Sequence, residues 1–221
     1  MKLLHSFLSE PMVIKEGDAI EFIIENQKLF RETVEDFKHQ LEGEDGSLIL
    51  SINDKPVTLR KHVELIDDIC PFDINSKALL NRIYSNMEST AISEQFYVKG
   101  QELLAQIEQY LDGLGEEQGV FLDYTKLSFD SIVRAIGTRI SVDYETPLEA
   151  IIDYMELINR YDGEKLYCFI NFRSYFNDDE MLAFIQTLSM KGLRTLFLEG
   201  LERKYIMETK RVIIDPDLCV I

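Results

Sequence analysis

Two short apolar runs, residues 165–172 and 193–198, flank a segment with helical periodicity. The first run is rich in aromatic residues, and both are short and apolar, as is typical of buried strands. Between them, Asn177 can cap a helix whose apolar positions share one face, and Gly192 suits its end. A parallel strand pair needs such a crossover, and continuous apolar strands indicate a sheet covered on both faces. The pattern therefore predicts a buried parallel sheet.

The flanking sequence also alternates between apolar runs and segments with helical spacing, as expected for an α/β chain. A tight turn at Glu16-Gly17-Asp18 predicts that the strands on either side of it are neighbours. Thr146, Pro147 and Glu149 carry the cap, first-position proline and capping-box signals of a helix start. Further strands are predicted at residues 12–15, 19–25, 48–52, 210–215 and 218–221, and helices at residues 29–42 and 58–69.

Residues 75–137 change to almost continuous helical spacing. Asn75 is predicted to cap a helix that runs to about residue 95, and the spacing resumes after a possible kink at Gly100. A strand-like run at residues 120–124 and a helix at residues 128–137 follow. This helical stretch is longer than a crossover between two parallel strands requires. We therefore predict an α/β head domain formed by residues 1–74 and 138–221, with residues 75–137 as an inserted α-helical leg.

The composition is that of a soluble globular protein: 46% of the 221 residues are hydrophobic and 29% are charged. No run approaches the roughly 20 apolar residues of a membrane span. Cys70, Cys168 and Cys219 lie in apolar sequence without metal-ligand spacing. They are predicted to be reduced core residues of a cytoplasmic protein.

The charge balance restricts the possible partners, because 40 Asp and Glu against 23 Lys and Arg give a formal net charge of −17. Affinity for nucleic acid comes mostly from neutralising phosphates. The charge alone therefore disfavours nucleic-acid binding. Such binding would require segregated positive charge, a bridging cation, or both.

The sequence predicts no catalytic residues. Residues 20–29 follow the pattern of a first strand and turn, yet they contain no glycine and no Gly-Lys-Ser/Thr, so a phosphate-binding loop is missing. The strand at residues 167–171 ends in Asn rather than in an acid that could hold magnesium. His5, His39 and His62 are widely separated, and no Ser or Cys occupies a nucleophile elbow. ATP hydrolysis is not expected.

Residues 108–123 are rich in acids and contain neither Lys nor Arg. Glycines in this stretch would let the backbone fold back, so that oxygens of Glu116, Glu117 and Asp123 could converge. Calcium takes 6 to 8 oxygen ligands in loose geometry, which suits such a segment. A solvated acidic turn is the alternative, and the residues alone leave both open.

Basic residues are few but unevenly distributed. One group contains Lys126, Arg134 and Arg139, and a denser one lies between residues 191 and 211. Arg60 and Lys61 are adjacent at a predicted helix start. Such groups are either ordinary solvated faces or, if an oligomer aligns them, a track for phosphates.

Five segments, in order along the chain, resemble a known family. They are SEPM at residues 9–12, FDIN at 72–75, RAIGTRI at 134–140, YCFINFRSYFNDDE at 167–180 and LFLE at 196–199. Together they resemble the Csn-two family, the small accessory proteins of type II-A CRISPR systems. The similarity covers essentially the whole length.

The resemblance implies a degenerate P-loop-NTPase or RecA-like head with an inserted helical leg, assembled as a ring-shaped homotetramer. It implies non-catalytic, calcium-dependent and sequence-independent binding of double-stranded DNA ends during spacer acquisition in antiviral defence. CRISPR integrase and effector nuclease proteins are the implied protein partners, and no membrane or nucleotide is expected.

The implied calcium ligands are Glu116, Glu117 and Asp123, because the segment before the RAIG-like motif is also acidic in related sequences. DNA contacts are expected at Arg60, Lys61, Lys126, Arg134 and Arg139. Two alternatives remain: a scaffold for the integration machinery with incidental DNA contact, and a nucleotide-dependent enzyme. The fold would favour an enzyme, but the residues do not.

Overall fold

The computed structural model describes residues 1–124 and 127–221. The chain divides into two compact units. We call the unit formed by Met1–Phe72 and Glu145–Ile221 the sheet unit, and the unit formed by Asp73–Tyr144 the helical unit. The predicted insertion, residues 75–137, lies inside the helical unit.

The sheet unit holds all nine strands of the described residues, in two sheets. The strands are β1 (Lys2–Leu4), β2 (Met12–Val13), β3 (Ala19–Ile24), β4 (Ile49–Ile52), β5 (Lys55–Val57), β6 (Val63–Ile66), β7 (Leu166–Ile170), β8 (Arg194–Glu199) and β9 (Lys210–Ile214). One sheet has the order β6-β7-β8-β3-β9, and every strand pair in it is parallel. The predicted buried parallel sheet is therefore confirmed. The other sheet, β2-β1-β4-β5, is antiparallel and was not predicted.

Capping residues explain where several helices begin and end. Asn26 caps the first helix by accepting the N–H of Leu29, and Gly43 ends it in the left-handed conformation. Asn177 caps α7 as predicted, and it also forms a reciprocal capping box with Glu180, which was not predicted. The helices are α1 (Gln27–Glu42), α2 (Leu59–His62), α3 (Lys77–Ala91), α4 (Tyr97–Glu117), α5 (Phe129–Ala135), α6 (Pro147–Asp162) and α7 (Asp178–Met190).

Two predictions for the N-terminal third are wrong. The strands around Gly17 do not form a hairpin, because β2 belongs to the antiparallel sheet and β3 to the parallel one. The helix predicted at residues 58–69 is only the four-residue α2, followed by the edge strand β6. Val63 and Ile66 would be buried in a helix or in a strand, so the spacing of these apolar residues does not distinguish the two. Residues 63–66 form a strand because they pair with β7.

The helical unit also differs in detail from the prediction. The break between α3 and α4 lies at residues 92–96, and Gly100 lies within α4. Ser76, rather than Asn75, caps α3. Residues 120–124 form no strand.

The C-terminal residues and the cysteines bring two further corrections. Residues 218–221 contribute only an isolated bridge between Ile214 and Val220. Cys168 is buried as predicted, but Cys70 and Cys219 are exposed; all three thiols are free. None of the described helices is long and apolar enough to cross a membrane.

The parallel sheet is covered on both faces. One face joins α1 and the antiparallel sheet in a hydrophobic core that includes Phe22, Phe37 and Leu50. The other face carries an aromatic cluster in which Phe172 contacts the rings of Phe169, Phe184 and Phe197 at centroid distances of 4.4–5.6 Å. Phe172 lies two residues beyond the end of β7 and has no exposed surface. The cluster therefore packs the start of the α7 crossover against the sheet.

We expect Phe172→Ala to lower the free energy of unfolding by about 3–5 kcal/mol, because it leaves a cavity among three aromatic rings. Thermal unfolding followed by circular dichroism measures the effect. Phe121→Ala is the matched control, since Phe121 is fully exposed and its removal should change stability by less than about 0.5 kcal/mol. Equal effects of the two substitutions would contradict the packing described here.

Candidate nucleic-acid interface

The step from β3 to α1 is where a nucleotide-binding sheet would carry its phosphate loop. Only Glu25 and Asn26 connect the two elements. The side chain of Asn26 accepts the N–H of Leu29 at 3.0 Å and donates to the carbonyl of Pro216 at 2.9 Å. The protein therefore caps this helix start with its own side chain. No glycine-rich loop is present there to surround a phosphate.

The end of β7 is closed in a similar way. Asn171 adopts a left-handed conformation with φ of 50°. Its N–H donates to the carbonyl of Leu198, and its amide oxygen accepts the N–H of Gly200, both at 2.9 Å. Asn171 thus links the ends of β7 and β8 and has a structural role where a magnesium-binding acid would otherwise stand.

A buried ion cluster lies on the aromatic face of the sheet. Glu21, in the middle of β3, has no exposed surface, and its two oxygens accept from Arg173 at 2.8 Å and Arg211 at 2.6 Å. Arg173 also donates to Asp178 at 2.7 Å and to the carbonyl of Lys204 at 2.9 Å. Removing one partner of a buried pair costs about 3–5 kcal/mol. The cluster therefore fastens β3, β9 and the segment after β8 together.

Glu199, the last residue of β8, lies beside this cluster and is 2% exposed. Its carboxyl group accepts the backbone N–H of Arg173 at 3.1 Å. Burial raises the pKa of Glu199 to about 7, and the nearby charge of Glu21 acts in the same direction, while Arg173 and Arg203 oppose the shift. Between about pH 4.5 and pH 7, the native state therefore favours a protonated Glu199 where an unfolded chain would carry the ionised form.

The densest basic group of the sequence, between residues 191 and 211, is largely neutralised within the sheet unit. Arg211 donates to both Glu21 and Glu202. The remaining pairs are Lys191 with Glu156 at 2.7 Å, Arg194 with Glu164 at 2.8 Å, and Lys210 with Asp18. These side chains are committed to internal contacts and carry little free positive charge.

Arg60 and Lys61 lie on α2 and are both exposed. Arg60 donates to the carbonyl of Glu42, at the end of α1, with a donor–acceptor distance of 3.5 Å. The ammonium group of Lys61 contacts no acid among the described residues. This pair stays a prediction for DNA contact in the sheet unit.

The helical unit brings Arg134 and Arg139 together around a cleft of about 320 Å³. Lys77, at the start of α3, supplies a third cation, and the amides of Asn75 and Asn81 complete its polar lining. We call these five residues and the space between them the cationic cleft. Its described lining includes no Asp or Glu. Positive charge is thus gathered locally in a chain that is acidic overall.

Hydrogen bonds to the backbone hold the RAIGTRI segment beside α3. The amide of Asn75 donates to the carbonyl of Ile140 at 3.2 Å and accepts its N–H at 2.7 Å. The hydroxyl of Tyr84, a buried residue, donates to the carbonyl of Thr138. Gly137 has a φ of 66°, which permits the turn between α5 and this segment. The positions of the two arginines are therefore fixed by α3.

The two arginines differ in how firmly they are held. The Nε of Arg134 donates to Asp130 at 2.8 Å, its Nη1 donates to Asn81 at 2.8 Å, and its guanidinium lies 5.0 Å from the ring centroid of Tyr84. The hydrogen bond that Arg134 donates to Asp130 raises the pKa of Arg134, which keeps it charged. Arg139 meets Asp73 at 3.4 Å, with both side chains more than 60% exposed. Such a surface pair contributes roughly 0–1 kcal/mol, so an external anion can replace it.

Lys77 and Asn81 were not predicted as site residues from the sequence. Their spacing of four residues places them on one face of α3, and this is the signal that could have found them. Lys126, predicted to contact DNA, lies outside the described residues.

The predicted calcium ligands do not form a coordination group within one chain. Glu116 and Glu117 end α4, and Asp123 lies in the exposed segment beyond. Within residues 1–124 and 127–221 there is no group of three or more His, Cys, Asp or Glu side chains that could hold a metal ion. Calcium binding by these acids stays a prediction.

Comparison with known proteins places the chain in a family. The sequence model described as CRISPR-associated protein (Cas_Csn2) matches residues 40–218, which is more than half of the chain. The chain belongs to the CRISPR-associated Csn2 family. The resemblance to the Csn-two family, which is the Csn2 family, is confirmed. Csn2 membership indicates a CRISPR-associated role.

Individual relatives agree with this assignment to Csn2. The chain is 23% identical over 224 residues to the CRISPR-associated protein Csn2 of Streptococcus agalactiae, covering 100% of this chain and 97% of the relative. It is 26% identical over 203 residues to Csn2 of Enterococcus faecalis, covering 90% of each. The crystal structure of Stu0660 of Streptococcus thermophilus matches 97% of this chain and 74% of its own, with a TM-score of 0.58 at 12% identity. That likeness shows a shared fold.

We expect Glu199→Gln to remove part of the pH dependence of stability. The pKa of Glu199 is raised from 4.5 to about 7, so the wild-type free energy of unfolding should fall by about 1–3 kcal/mol as pH rises across this interval. The variant cannot titrate there and should lose less. Melting temperatures at about pH 5 and pH 8 measure this.

Glu10→Gln is the control for this experiment, because Glu10 is exposed. It should keep the wild-type pH dependence. A Glu199→Gln profile that overlays the wild-type profile would contradict the assignment.

Proposed function

We propose that this Csn2 chain is a non-catalytic protein that binds double-stranded DNA during CRISPR spacer acquisition, without sequence preference. The observation that supports this most is the cationic cleft, where Lys77, Arg134 and Arg139 meet without an acid in the described lining. DNA phosphates bind such groups by electrostatic attraction, and the counterions that were condensed on the DNA are released. Contacts of this kind carry no information about base sequence. The cleft therefore suits a backbone of any sequence.

A homotetrameric ring is the assembly we propose, because a single chain with a formal net charge of −17 repels a polyanion. Symmetry repeats every patch, so copies of the cleft and of Arg60 and Lys61 can line one passage for the duplex while acids face outward. DNA ends would enter such a passage directly. Lys126 belongs to the same proposed set of contacts.

The sheet unit is proposed to be a degenerate RecA-like head that binds no nucleotide. The all-parallel sheet and the direct step from β3 to α1 support this, together with the side-chain cap of Asn26 and the structural role of Asn171. A cytoplasmic location, and CRISPR integrase and effector nuclease proteins as partners, complete the proposal.

A second candidate function is a scaffold for the integration machinery. It is favoured by an apolar cleft of about 340 Å³ in the helical unit, lined by Met87, Phe96, Leu103 and Phe129 among others. Apolar clefts of this kind suit protein side chains better than phosphates. In this alternative, DNA contact would be incidental.

For the wild-type chain we expect duplex affinity to fall steeply and linearly on a log–log plot as salt rises from about 50 to 200 mM, because each phosphate contact releases a counterion. Fluorescence anisotropy with linear duplexes of two unrelated sequences measures both the slope and the sequence preference. A flat salt dependence, or a strong preference for one sequence, would contradict the proposal.

Charge reversal separates DNA binding from the scaffold. Arg134→Glu, Arg139→Glu and Lys126→Glu together should abolish duplex binding and, with it, spacer acquisition in cells, because three cations per subunit become anions. A scaffold would keep spacer acquisition with this variant. A triple reversal of Arg31, Lys55 and Lys99, which are exposed and lie outside the cationic cleft, controls for net charge.

Calcium binding is tested independently of DNA. If calcium binds only the native state, saturating calcium should raise the melting temperature, and the combined Glu117→Ala and Asp123→Ala variant should lose most of that gain. Differential scanning fluorimetry with and without calcium measures it. Glu94→Ala with Glu102→Ala removes the same charge elsewhere and should keep the gain. An unchanged response in the first variant would exclude Glu117 and Asp123 as ligands.

A further inference from the structure

Lys77 is placed where a lysine does not serve the fold. It is the first residue of α3, and the first turn of a helix disfavours positive charge. No acid lies in that turn. Its side chain is exposed and has no acidic partner among the described residues, unlike Arg134, which pairs with Asp130. An unpaired cation in this place is available to an external anion.

The other members of the cationic cleft are fixed relative to Lys77. Asn75, two residues before Lys77, is 8% exposed and holds Ile140 by two hydrogen bonds, which places Arg139 next to the start of α3. Asn81, one helical turn beyond Lys77, accepts from Arg134. Lys77, Arg134 and Arg139 come from three separate segments and are thereby kept around one space by contacts that involve no external anion.

We propose that the cationic cleft binds one phosphodiester group of the DNA backbone, contacted jointly by Lys77, Arg134 and Arg139. This rests on the proposed DNA binding and adds to it both the site and the third cation. On binding, Arg139 leaves its exposed contact with Asp73 and contacts the phosphate. Arg134 keeps its hydrogen bond to Asp130 and contacts the phosphate from a fixed position. Asn75 is a positioning residue that holds the segment of Arg139 beside Lys77.

The cleft is suited to a phosphate that belongs to a chain. Its volume of about 320 Å³ is at the lower end of the range of ligand pockets, and it is open to solvent, so a sugar–phosphate backbone can pass through it. Leu80 and the ring of Tyr84 form the apolar part of its wall, against which a deoxyribose can pack.

The experiment compares Lys77→Glu with Lys99→Glu in the full chain. Both lysines are exposed residues of helices in the helical unit, but Lys99 lines the apolar cleft and not the cationic one. Affinity for a linear duplex is measured by anisotropy at several salt concentrations, with melting temperatures to show that each variant is folded. Lys77→Glu should weaken binding about fivefold or more and reduce the salt slope by about one per lost contact.

Lys77→Arg tests the chemistry of the site, because it keeps the charge and should retain most of the affinity. Equal weakening by Lys77→Glu and Lys99→Glu would overturn the site, since the effect would then reflect overall charge. If the wild-type chain binds the duplex and Lys77→Glu binds it equally well, the proposed site is wrong but the proposed function stands. No duplex binding by the wild-type chain would overturn both.

Discussion

Positive charge is scarce in this protein, with 23 Lys and Arg against 40 Asp and Glu, and what the surface can bind depends on which cations remain free. In the sheet unit, most of the cations between residues 191 and 211 pair with acids from other elements. In the helical unit, Arg134 and Arg139 meet Lys77 around a cleft with no acid in its described lining. Arg134 pairs with Asp130 and Arg139 with Asp73 outside that lining, whereas Lys77 has no acidic partner among the described residues. Because phosphate binding requires excess positive charge at one place rather than over the whole chain, this distribution makes an acidic protein compatible with a polyanion.

The same constraint shapes the parallel sheet. The carboxylate of Glu21 is fully buried. It is stable there only because Arg173 donates to one of its oxygens and Arg211 to the other. These contacts use two of the few arginines for ion pairs inside the protein, on the aromatic face of the sheet. Asn26 and Asn171 bond the ends of neighbouring elements with their amides. The sheet is parallel throughout, and its own side chains bond the ends of its strands, in keeping with the proposed non-catalytic role.

Much of the fold could be predicted because local signals and packing agree. The unit from β7 to β8 combines two apolar strands with a helix capped by Asn177, and both features are present. Prediction failed where tertiary pairing decided: residues 63–66 form a strand only because β7 lies beside them. The basic stretch between residues 191 and 211 looked free because the acids that neutralise it are distant in sequence. Lys77 was missed for the same reason, since its companions Arg134 and Arg139 are more than fifty residues away in the chain.

The most direct measurement of the central claim is hydrogen–deuterium exchange of the chain with and without a linear duplex. Exchange reports which backbone segments become protected on binding, and it requires no substitution. The account predicts that slowed exchange will concentrate at the start of α3 and in the RAIGTRI segment, which together form the cationic cleft. Binding of the duplex with unchanged exchange in both segments, or with protection confined to the stretch between residues 191 and 211, would contradict it.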